Sequence, residues 1–465
     1  MVFSSMTFLP LFLPLVLILY FVFKGPKARN GILLAFSLLF YAWGEPKWIF
    51  VMLLTVTVNY FSGLQISRRK NKSAQRFWMI LGVSLSLIFL FYFKYFGFFA
   101  DVFTGLFGYK NPLPKPVLPI GISFYTFQVL TYTIDVYRGK VPVQKSYGRL
   151  LLYVSFFPQL IAGPIVNYTD IEPSLAERTV KSDDVYEGFL RFFIGFAKKV
   201  LLANTCGLIT EKLGAAAGLS LVGSWLMALT FAFQIYFDFS GYSDMAIGMG
   251  RMFGFRFFEN FNYPYISKSV TVFWRRWHIS LGTFFRDYVY IPLGGNRVSI
   301  WKNIRNIFVV WLLTGFWHGA SWNFIAWGVY YGVLLLIEKF LLKDLKKMLP
   351  GLLNWLITAV LVLIGWVLFY YEDLGMGLQH LCIMFGFRNA SLLDPATVYY
   401  FKHYLVMLVC AALACLPWKA ATDKLPQTLR NTGAYLKPFA VTLIFLLALA
   451  LIVGQSYNPF LYFRF

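Results

Sequence analysis

The chain has 465 residues, of which 59% are hydrophobic and 13% are charged, against about 25% charged in a typical soluble domain. This composition excludes an ordinary soluble protein and indicates an integral membrane protein. The net charge of +22 does not indicate nucleic-acid binding, because the basic residues lie in short loops between apolar segments. Such loops face the cytoplasm and anionic lipid headgroups.

Ten apolar segments approach the length of about 20 residues that crosses a bilayer core. They are residues 8–23, 31–43, 48–66, 77–99, 225–239, 306–317, 322–342, 352–370, 404–416 and 438–453. Several are too short or too polar to cross alone, which favours tilted or re-entrant pieces that line a cavity. The first segment has no preceding basic residue and no small-residue cleavage site, so it predicts a retained span rather than a signal peptide. The whole pattern predicts an all-α polytopic membrane protein.

Two basic loops indicate the orientation of the N-terminal region. Residues 24–29 and 68–76 each contain several Lys and Arg, and short basic loops tend to stay in the cytoplasm. The prediction therefore places both loops in the cytoplasm and the N-terminus outside.

Three segments differ from a helix that faces lipid on all sides. Residues 115–139 are apolar but include Gln128 and Asp135, so this helix is predicted to face protein. Residues 157–165 contain two prolines and a glycine, which predict a broken or re-entrant element. Residues 183–200 are amphipathic and predict an interfacial helix.

Asp238 and Asp244 close an apolar segment, where an acid normally faces a cavity or a partner charge. Nearby arginines are the expected partners, either in an ion pair that fixes packing or in a functional site. Residues 251–306 follow, with nine Lys or Arg against two acids, one of which is Asp287. Prolines and glycines interrupt this stretch, which predicts short interfacial helices on the cytoplasmic side.

His318 is the strongest candidate for chemistry, because an ionisable group inside an apolar segment is costly and often functional. It follows Trp317, with Gly319 predicted to leave room beside the ring and Asn323 predicted to supply an amide that orients a substrate. A buried imidazole tends to stay neutral and can accept a proton near neutral pH. The alternative is a hydrogen-bonded core histidine, and spacing alone does not decide between the two.

His278 is the second candidate. On a continuous helix Trp274 would lie over it at i and i+4, and Arg275 and Arg276 could hold the phosphates of a large anionic donor. Arg286 extends this basic patch. The alternative is that these arginines snorkel to the membrane surface.

Other catalytic patterns are lacking in the sequence. It has no phosphate-binding P-loop, dinucleotide fingerprint, HExxH motif or GxSxG elbow. No metal site is predicted, because no Cys or Asp/Glu set completes one around the histidines. The four cysteines are predicted to be packing residues, and a reactive acyl-carrying thiol is the alternative.

Six stretches occur in a characteristic order: residues 118–128, 156–165, 236–246, 273–281, 286–297 and 316–323. Together they resemble the membrane-bound O-acyltransferase superfamily. Within it, the chain is most similar to the bacterial branch that includes the alginate O-acetyltransferases and the D-alanyl transfer proteins of teichoic acid synthesis, and the motif at 286–297 is closer to the alginate type. One departure is Asn204, where many relatives have an acid, which leaves any role of that position open.

The resemblance implies a fold of roughly 10–12 membrane-spanning or re-entrant helices around a central tunnel. It further implies one acyltransferase domain over 1–465, with N-terminal helices to about 110, a catalytic core at 111–343 and C-terminal helices at 344–465. By the same resemblance His318 is the catalytic histidine and His278 a second polar position. Arg275, Arg276, Arg286, Asn323, Trp274 and Trp317 are the expected donor-binding residues, and Asp238, Asp244 and Asp287 are expected to support them.

The leading functional prediction is transfer of an acetyl group across a bacterial cell membrane for O-acetylation of an exported or cell-wall polysaccharide. No resident cofactor is expected, and acetyl-CoA is the expected donor substrate. A periplasmic or extracellular hydrolase-like acetyltransferase is the expected partner. The alternatives are D-alanyl transfer from a carrier protein to teichoic acid, transport of a precursor or acyl carrier without bond formation, and a membrane scaffold that recruits the secreted enzyme.

Overall fold

The computed structural model describes all residues except 112, 115, 162, 216–217, 343–348, 454–459 and 462–465, and it describes 419 and 420 only in their backbone. Across these residues the regular secondary structure is helical, with no β-strand. Eight of the described helical segments are long and apolar enough to cross a membrane: Ile49–Arg68, Lys72–Leu106, Ser182–Gly214, Leu221–Met252, Trp322–Leu341, Gly351–Tyr370, Pro395–Ala414 and Gln427–Val453. The predicted all-α polytopic class is confirmed.

The α-helices, in chain order, are α1 Leu13–Val22, α2 Pro26–Gly44, α3 Ile49–Arg68, α4 Lys72–Leu90, α5 Phe96–Leu106, α6 Ile122–Tyr137, α7 Tyr147–Ser155, α8 Phe157–Leu160, α9 Tyr168–Ala176, α10 Ser182–Ala197, α11 Asn204–Gly214, α12 Leu221–Met252, α13 Val270–Arg276, α14 Ile279–Phe285, α15 Ile300–His318, α16 Trp322–Leu336, α17 Gly351–Tyr370, α18 Leu374–Met384, α19 Pro395–Ala414, α20 Trp418–Thr422 and α21 Gln427–Val453. Single π-helical turns precede or extend several of them, at Phe8–Phe12, Phe91–Tyr95, Lys198–Ala203, Arg286–Tyr290 and Ile337–Leu341.

The chain divides into two compact units, one formed mainly by Met1–Phe192 and Ser243–Phe258, the other mainly by Phe193–Tyr242 and Glu259–Leu451. In the first unit, polar side chains join α3, α4 and α6. Asn59 of α3 donates to Ser86 Oγ of α4 at 2.7 Å and accepts from Thr133 Oγ1 of α6 at 2.6 Å. Hydrogen bonds of this kind hold helices together where lipid removes the hydrophobic driving force.

In the second unit, α15 and α16 form an antiparallel hairpin, and His318 lies at its tip. The two helices approach closely because glycines face backbone. A Cβ atom at Gly328 would lie 2.5 Å from the carbonyl oxygen of Trp311, and one at Gly315 would meet the carbonyl oxygen of Phe324. Gly315 and Gly328 therefore set the distance between the two helices of the hairpin that carries His318.

Two local predictions are confirmed. Nearly all of α6 is buried, including Gln128 and Asp135, as expected for a helix that faces protein. The predicted break also occurs, because α7 ends at Ser155 and α8 is only four residues long.

Other predicted bounds need correction. The predicted interfacial helix at 183–200 is instead the first part of the 33-residue segment Ser182–Gly214. The predicted span at 225–239 continues without interruption to Met252, so Asp238 and Asp244 lie inside a helix rather than at its end. The predicted spans 8–23, 31–43 and 306–317 are helical but are not among the eight segments that meet the length and hydropathy of a membrane crossing.

Candidate active site

His278 lies at a break between the short helices α13 and α14, where its φ of 45° falls in the left-handed region. The backbone carbonyl of Asn260 accepts a hydrogen bond from the Ile279 amide at 2.9 Å and so holds the turn. The prediction that Trp274 covers His278 at i and i+4 is therefore wrong, because the helix does not continue through this position.

The side chain of Asn260 determines the protonation pattern of His278. Its Oδ1 atom accepts from the backbone amide of Ser280 at 3.2 Å and from Ser280 Oγ at 2.9 Å, and it lies 3.2 Å from His278 Nδ1. The hydrogen bond from the Ser280 amide identifies this atom as the oxygen of Asn260, and a carboxamide oxygen can only accept hydrogen bonds. Nδ1 of His278 must therefore carry the hydrogen, and Nε2 carries the lone pair. Burial lowers the pKa of His278 to about 3. His278 is thus neutral, and the lone pair of its Nε2 can accept a hydrogen bond.

His318 is the last residue of α15, and it is buried among aromatic rings. The centroids of Trp327 and Phe369 each lie 5.1 Å from its ring, edge to face. Phe324 stacks on it at 6.3 Å. These contacts limit the imidazole to a narrow range of orientations, which suits a base that must meet a hydroxyl at a fixed position.

The expectation that Gly319 leaves room beside the His318 ring is corrected. The space there is not open, because a Cβ atom at Gly319 would meet the ring of Phe324. The glycine permits close packing of Phe324 rather than substrate entry.

Trp317 connects the two histidines. Its ring centroid is 5.7 Å from that of His278 and 4.9 Å from that of His318. The structure thus brings both predicted catalytic residues to one indole. The predicted substrate contact of Trp317 remains a prediction.

A cavity of about 200 Å³, here called the aromatic cavity, opens beside His278. His318 is not among the residues that line it. Those residues are Trp274, Trp277, His278, Leu281, Gly282, Phe285, Arg286, Tyr290, Val310, Trp311 and Thr314. Trp274, in the cavity wall, contacts Trp327 edge to face at 5.3 Å, and Trp327 contacts His318. Along this path two indole rings, those of Trp274 and Trp327, connect the cavity to His318.

The predicted donor-binding arginines have different environments. Arg275 is exposed, and Arg276 lies with Nη1 3.4 Å from the carbonyl oxygen of Asn262. Arg286 lines the aromatic cavity but its Nε donates to its neighbour Asp287 at 2.7 Å. Of these three cations, Arg286 is therefore the one at the cavity, and its charge is partly offset.

Asn323 is fully buried and its amide is engaged. Oδ1 accepts from Ser321 Oγ, and Nδ2 lies 3.4 Å from the carbonyl oxygen of Leu368 in α17. Asn323 thus ties the hairpin tip to the helix that supplies Phe369. Its predicted role as a substrate ligand stays a prediction.

Both acids of α12 have a basic partner, and for Asp244 it is an arginine, as expected. Asp244 Oδ1 lies 2.7 Å from Arg191 Nη2. Asp238 instead pairs with a lysine, since its Oδ1 lies 2.5 Å from Lys199 Nζ with both side chains buried. Both partners come from the segment Ser182–Gly214.

Sequence reasoning missed three residues that shape the site: Asn260, Phe369 and Lys199. Asn260 and Phe369 come from segments distant in the chain and carry no motif of their own. Lys199 had a signal, because a buried acid such as Asp238 requires a nearby counter-charge. Within the described residues, no group of three or more His, Cys, Asp or Glu is placed to hold a metal ion.

Comparison with known proteins gives the family. The model of the membrane-bound O-acyltransferase family matches residues 141–378. The chain is 40% identical to a "Probable alginate O-acetylase AlgI" of Azotobacter vinelandii over the whole of both chains. It is 35% identical to a "Peptidoglycan O-acetyltransferase" of Helicobacter pylori, over 84% of this chain and 81% of the relative. It is 32% identical to a "Teichoic acid D-alanyltransferase" of Bacillus subtilis, over 56% and 70%.

Proposed function

Because this chain belongs to the membrane-bound O-acyltransferase family, we propose that it moves an acetyl group from cytoplasmic acetyl-CoA across the membrane for O-acetylation of an exported or cell-wall polysaccharide. Family membership makes the chain a multi-pass membrane O-acyltransferase, which removes the transporter and scaffold alternatives. The observation that carries the finer proposal is the pair of buried histidines joined by Trp317 beside the aromatic cavity.

His318 is the proposed general base. It takes the proton from an acceptor hydroxyl while that oxygen attacks the thioester carbonyl. The tetrahedral intermediate then collapses with cleavage of the C–S bond, and the donor sulfur takes the proton back from His318 and leaves as the free thiol. General-base catalysis is worth about 10² to 10⁴ in rate. The aromatic rings around His318 exclude water, which strengthens the polar interactions of the transition state.

The aromatic cavity and its arginine are the proposed donor side. Arg286 lies at the cavity. Arg275, eleven residues earlier on α13, has an exposed side chain. Guanidinium groups suit the phosphates of a coenzyme thioester. His278 presents a neutral Nε2 next to this cavity, where it can orient the donor by accepting a hydrogen bond.

The acceptor side is proposed from the relatives, whose printed names concern alginate and peptidoglycan. We place the protein in a bacterial inner or plasma membrane with its N-terminus outside. An extracytoplasmic hydrolase-like acetyltransferase would complete delivery to the polymer.

Substitution of His318 tests the proposal. In cells that make His318→Ala, acetyl esters on the exported polymer should fall by at least about 100-fold, the lower range of a lost general base, at unchanged abundance in the membrane. His403→Ala is the matched control, because its ring stacks on Tyr399 far along the chain in α19. Retained acetylation in His318→Ala would refute the proposed base and shift the assignment to His278 or to a partner protein.

D-alanyl transfer is the second candidate, and the 32% identity to a teichoic acid D-alanyltransferase supports it. That match covers about half of this chain, whereas the alginate O-acetylase match covers all of it. Membrane vesicles supplied with radiolabelled acetyl-CoA distinguish the two. Transfer of label without a carrier protein supports acetyl transfer, and a strict need for an aminoacylated carrier protein supports the alternative.

A further inference from the structure

Two arginines of the first unit lie against one tyrosine. The guanidinium carbons of Arg29 and Arg178 are 4.9 and 5.5 Å from the centroid of the Tyr20 ring. Arg178 is anchored by the protein, since its Nε donates to Tyr20 Oη at 2.9 Å and its Nη1 donates to Asn30 Oδ1 at 2.6 Å.

Within the described part of the chain, neither arginine has a carboxylate partner. Arg29 Nε and Arg178 Nη2 are also buried and have no hydrogen-bond acceptor there. Two cations that share one aromatic ring repel each other, so an anion beside them would be stabilising. Buried N–H groups normally have a hydrogen-bond acceptor. The anion that best matches two guanidinium groups is a phosphate.

An apolar groove of about 500 Å³ lies on the same unit and is linked to this cluster through Phe21. The ring of Phe21, in the groove wall, lies 5.2 Å from the ring of Tyr20. The groove is lined by Leu17, Ile18, Phe21 and Val22 of α1 and by Val185 and Phe189 of α10. A free phosphate would use the arginines but leave this surface without a role.

We propose that the groove and the Arg29–Arg178 cluster form a binding site for one phospholipid, with an acyl chain in the groove and an anionic headgroup at the arginines. Burial of acyl methylene groups contributes about 0.8 kcal/mol each, and guanidinium groups bind phosphate oxygens in two parallel hydrogen bonds. Leaflets that contain anionic lipids attract such basic clusters. This inference does not depend on the acyl-transfer proposal.

The acids near the groove do not cancel the two arginines. Asp184 and Glu187 lie on α10 close to the groove residues in sequence, but both face Arg251, whose nitrogens lie 3.3 and 3.9 Å from their carboxylate oxygens. These two carboxylates of α10 thus pair with Arg251. Arg29 and Arg178 retain their attraction for an anion.

Lipid retention tests the site. The full chain is reconstituted in nanodiscs with equal amounts of phosphatidylglycerol and phosphatidylcholine, extracted again in mild detergent, and its co-purifying lipids are quantified by mass spectrometry. Arg29→Gln removes a charge without breaking a protein hydrogen bond, and Ile18→Trp fills the groove. Lys27→Gln and Leu54→Trp are the matched controls, since both side chains are exposed elsewhere on the same unit.

The unmodified protein should retain phosphatidylglycerol over phosphatidylcholine by about 30-fold, the product of the roughly fivefold factors expected for two basic residues at an anionic headgroup. Arg29→Gln should lower this preference to about fivefold, Ile18→Trp should lose retention of both lipids, and the controls should match the unmodified protein. Equal retention of the two lipids, or identical behaviour of Arg29→Gln and Lys27→Gln, would overturn the proposal. So would stabilisation by inorganic phosphate alone that Ile18→Trp leaves unchanged, because that result indicates a free phosphate site.

Discussion

Asn260 decides which nitrogen of His278 can accept a proton, and its replacement by a carboxylate should change the pH dependence of the enzyme. In the native site burial lowers the pKa of His278 to about 3, so the ring is neutral over the range of about pH 5 to 8 in which histidines ordinarily titrate. Asn260→Asp places an anion next to Nδ1, which favours imidazolium and raises the pKa of His278.

The direction of the change in pH dependence follows from the role of Nε2. If the reaction uses neutral His278, activity of Asn260→Asp should be retained at high pH and lost as the pH falls through the raised pKa, while the native enzyme keeps its activity. The measurement is acetyl transfer by inverted membrane vesicles between about pH 5 and 8. Asn260→Ser, which keeps a neutral acceptor, is the control. Parallel profiles for the Asp and native forms would show that the protonation of His278 does not matter to the reaction.

The buried Lys199–Asp238 pair gives a second test on single residues. Lys199→Met leaves Asp238 as an uncompensated charge, which typically costs about 3–5 kcal/mol. The double variant Lys199→Met/Asp238→Leu removes both charges and should regain most of the loss. Thermal unfolding in detergent measures the stability, and acetyl transfer is followed in parallel. A double variant that is stable but inactive would show that the pair takes part in the reaction rather than only in packing.

The hairpin of α15 and α16 is the element that positions His318, so its spacing should control activity. Gly328→Ala brings a methyl group to 2.5 Å from the carbonyl oxygen of Trp311 and must push the two helices apart. Overpacking of this kind costs about 1–3 kcal/mol, and a displacement of about 1 Å at a catalytic group can reduce the rate about 100-fold.

The same helix offers the control for this prediction. A Cβ at Gly332, one turn further along α16, has its nearest neighbour at 3.5 Å, which is an ordinary contact. Gly332→Ala should therefore leave acetyl transfer and thermal stability close to native values. If Gly328→Ala were as active as Gly332→Ala, the hairpin would be more compliant than its glycine contacts indicate.

Secondary-structure elements could be predicted from the sequence where neighbouring residues alone determine the structure. The polar residues of α6 and the prolines near α8 both have local consequences, a buried helix and a break, and the structure confirms them. The turn at His278 was not predictable in this way, because it is imposed by hydrogen bonds that Asn260, eighteen residues earlier, accepts from residues 278–280. The length of α12 was missed because its acids suggested an end, whereas Lys199 and Arg191 neutralise them inside the helix.

For the molecule as a whole, the composition and the motif order were sufficient to predict the class and the family. The site was predictable only in part. His318 and His278 stand out because ionisable groups are rare in an apolar chain, and both come to Trp317. Phe369 could not be predicted, because it is one of 51 phenylalanines and its contact with His318 depends on how α17 packs.

The orientation of the N-terminal region is the prediction that concerns the whole molecule. α2 and α3 have 19 and 20 residues, and at 1.5 Å per residue each is about as long as the hydrocarbon core. If both cross, the basic stretches at the start of α2 and at the end of α3 lie on the same side, and their Lys and Arg place that side in the cytoplasm. In a cysteine-free background, Lys27→Cys and Lys72→Cys should react with a membrane-impermeant maleimide only after permeabilisation, whereas Lys47→Cys, between α2 and α3, should react in intact spheroplasts.

Each of these side chains is exposed, so a lack of reaction reports protection by the membrane and not burial in the protein. Reaction of Lys27→Cys and Lys72→Cys from opposite sides would mean that only one of the two helices crosses, and the N-terminus would then have to be placed again from the side on which Lys27→Cys reacts.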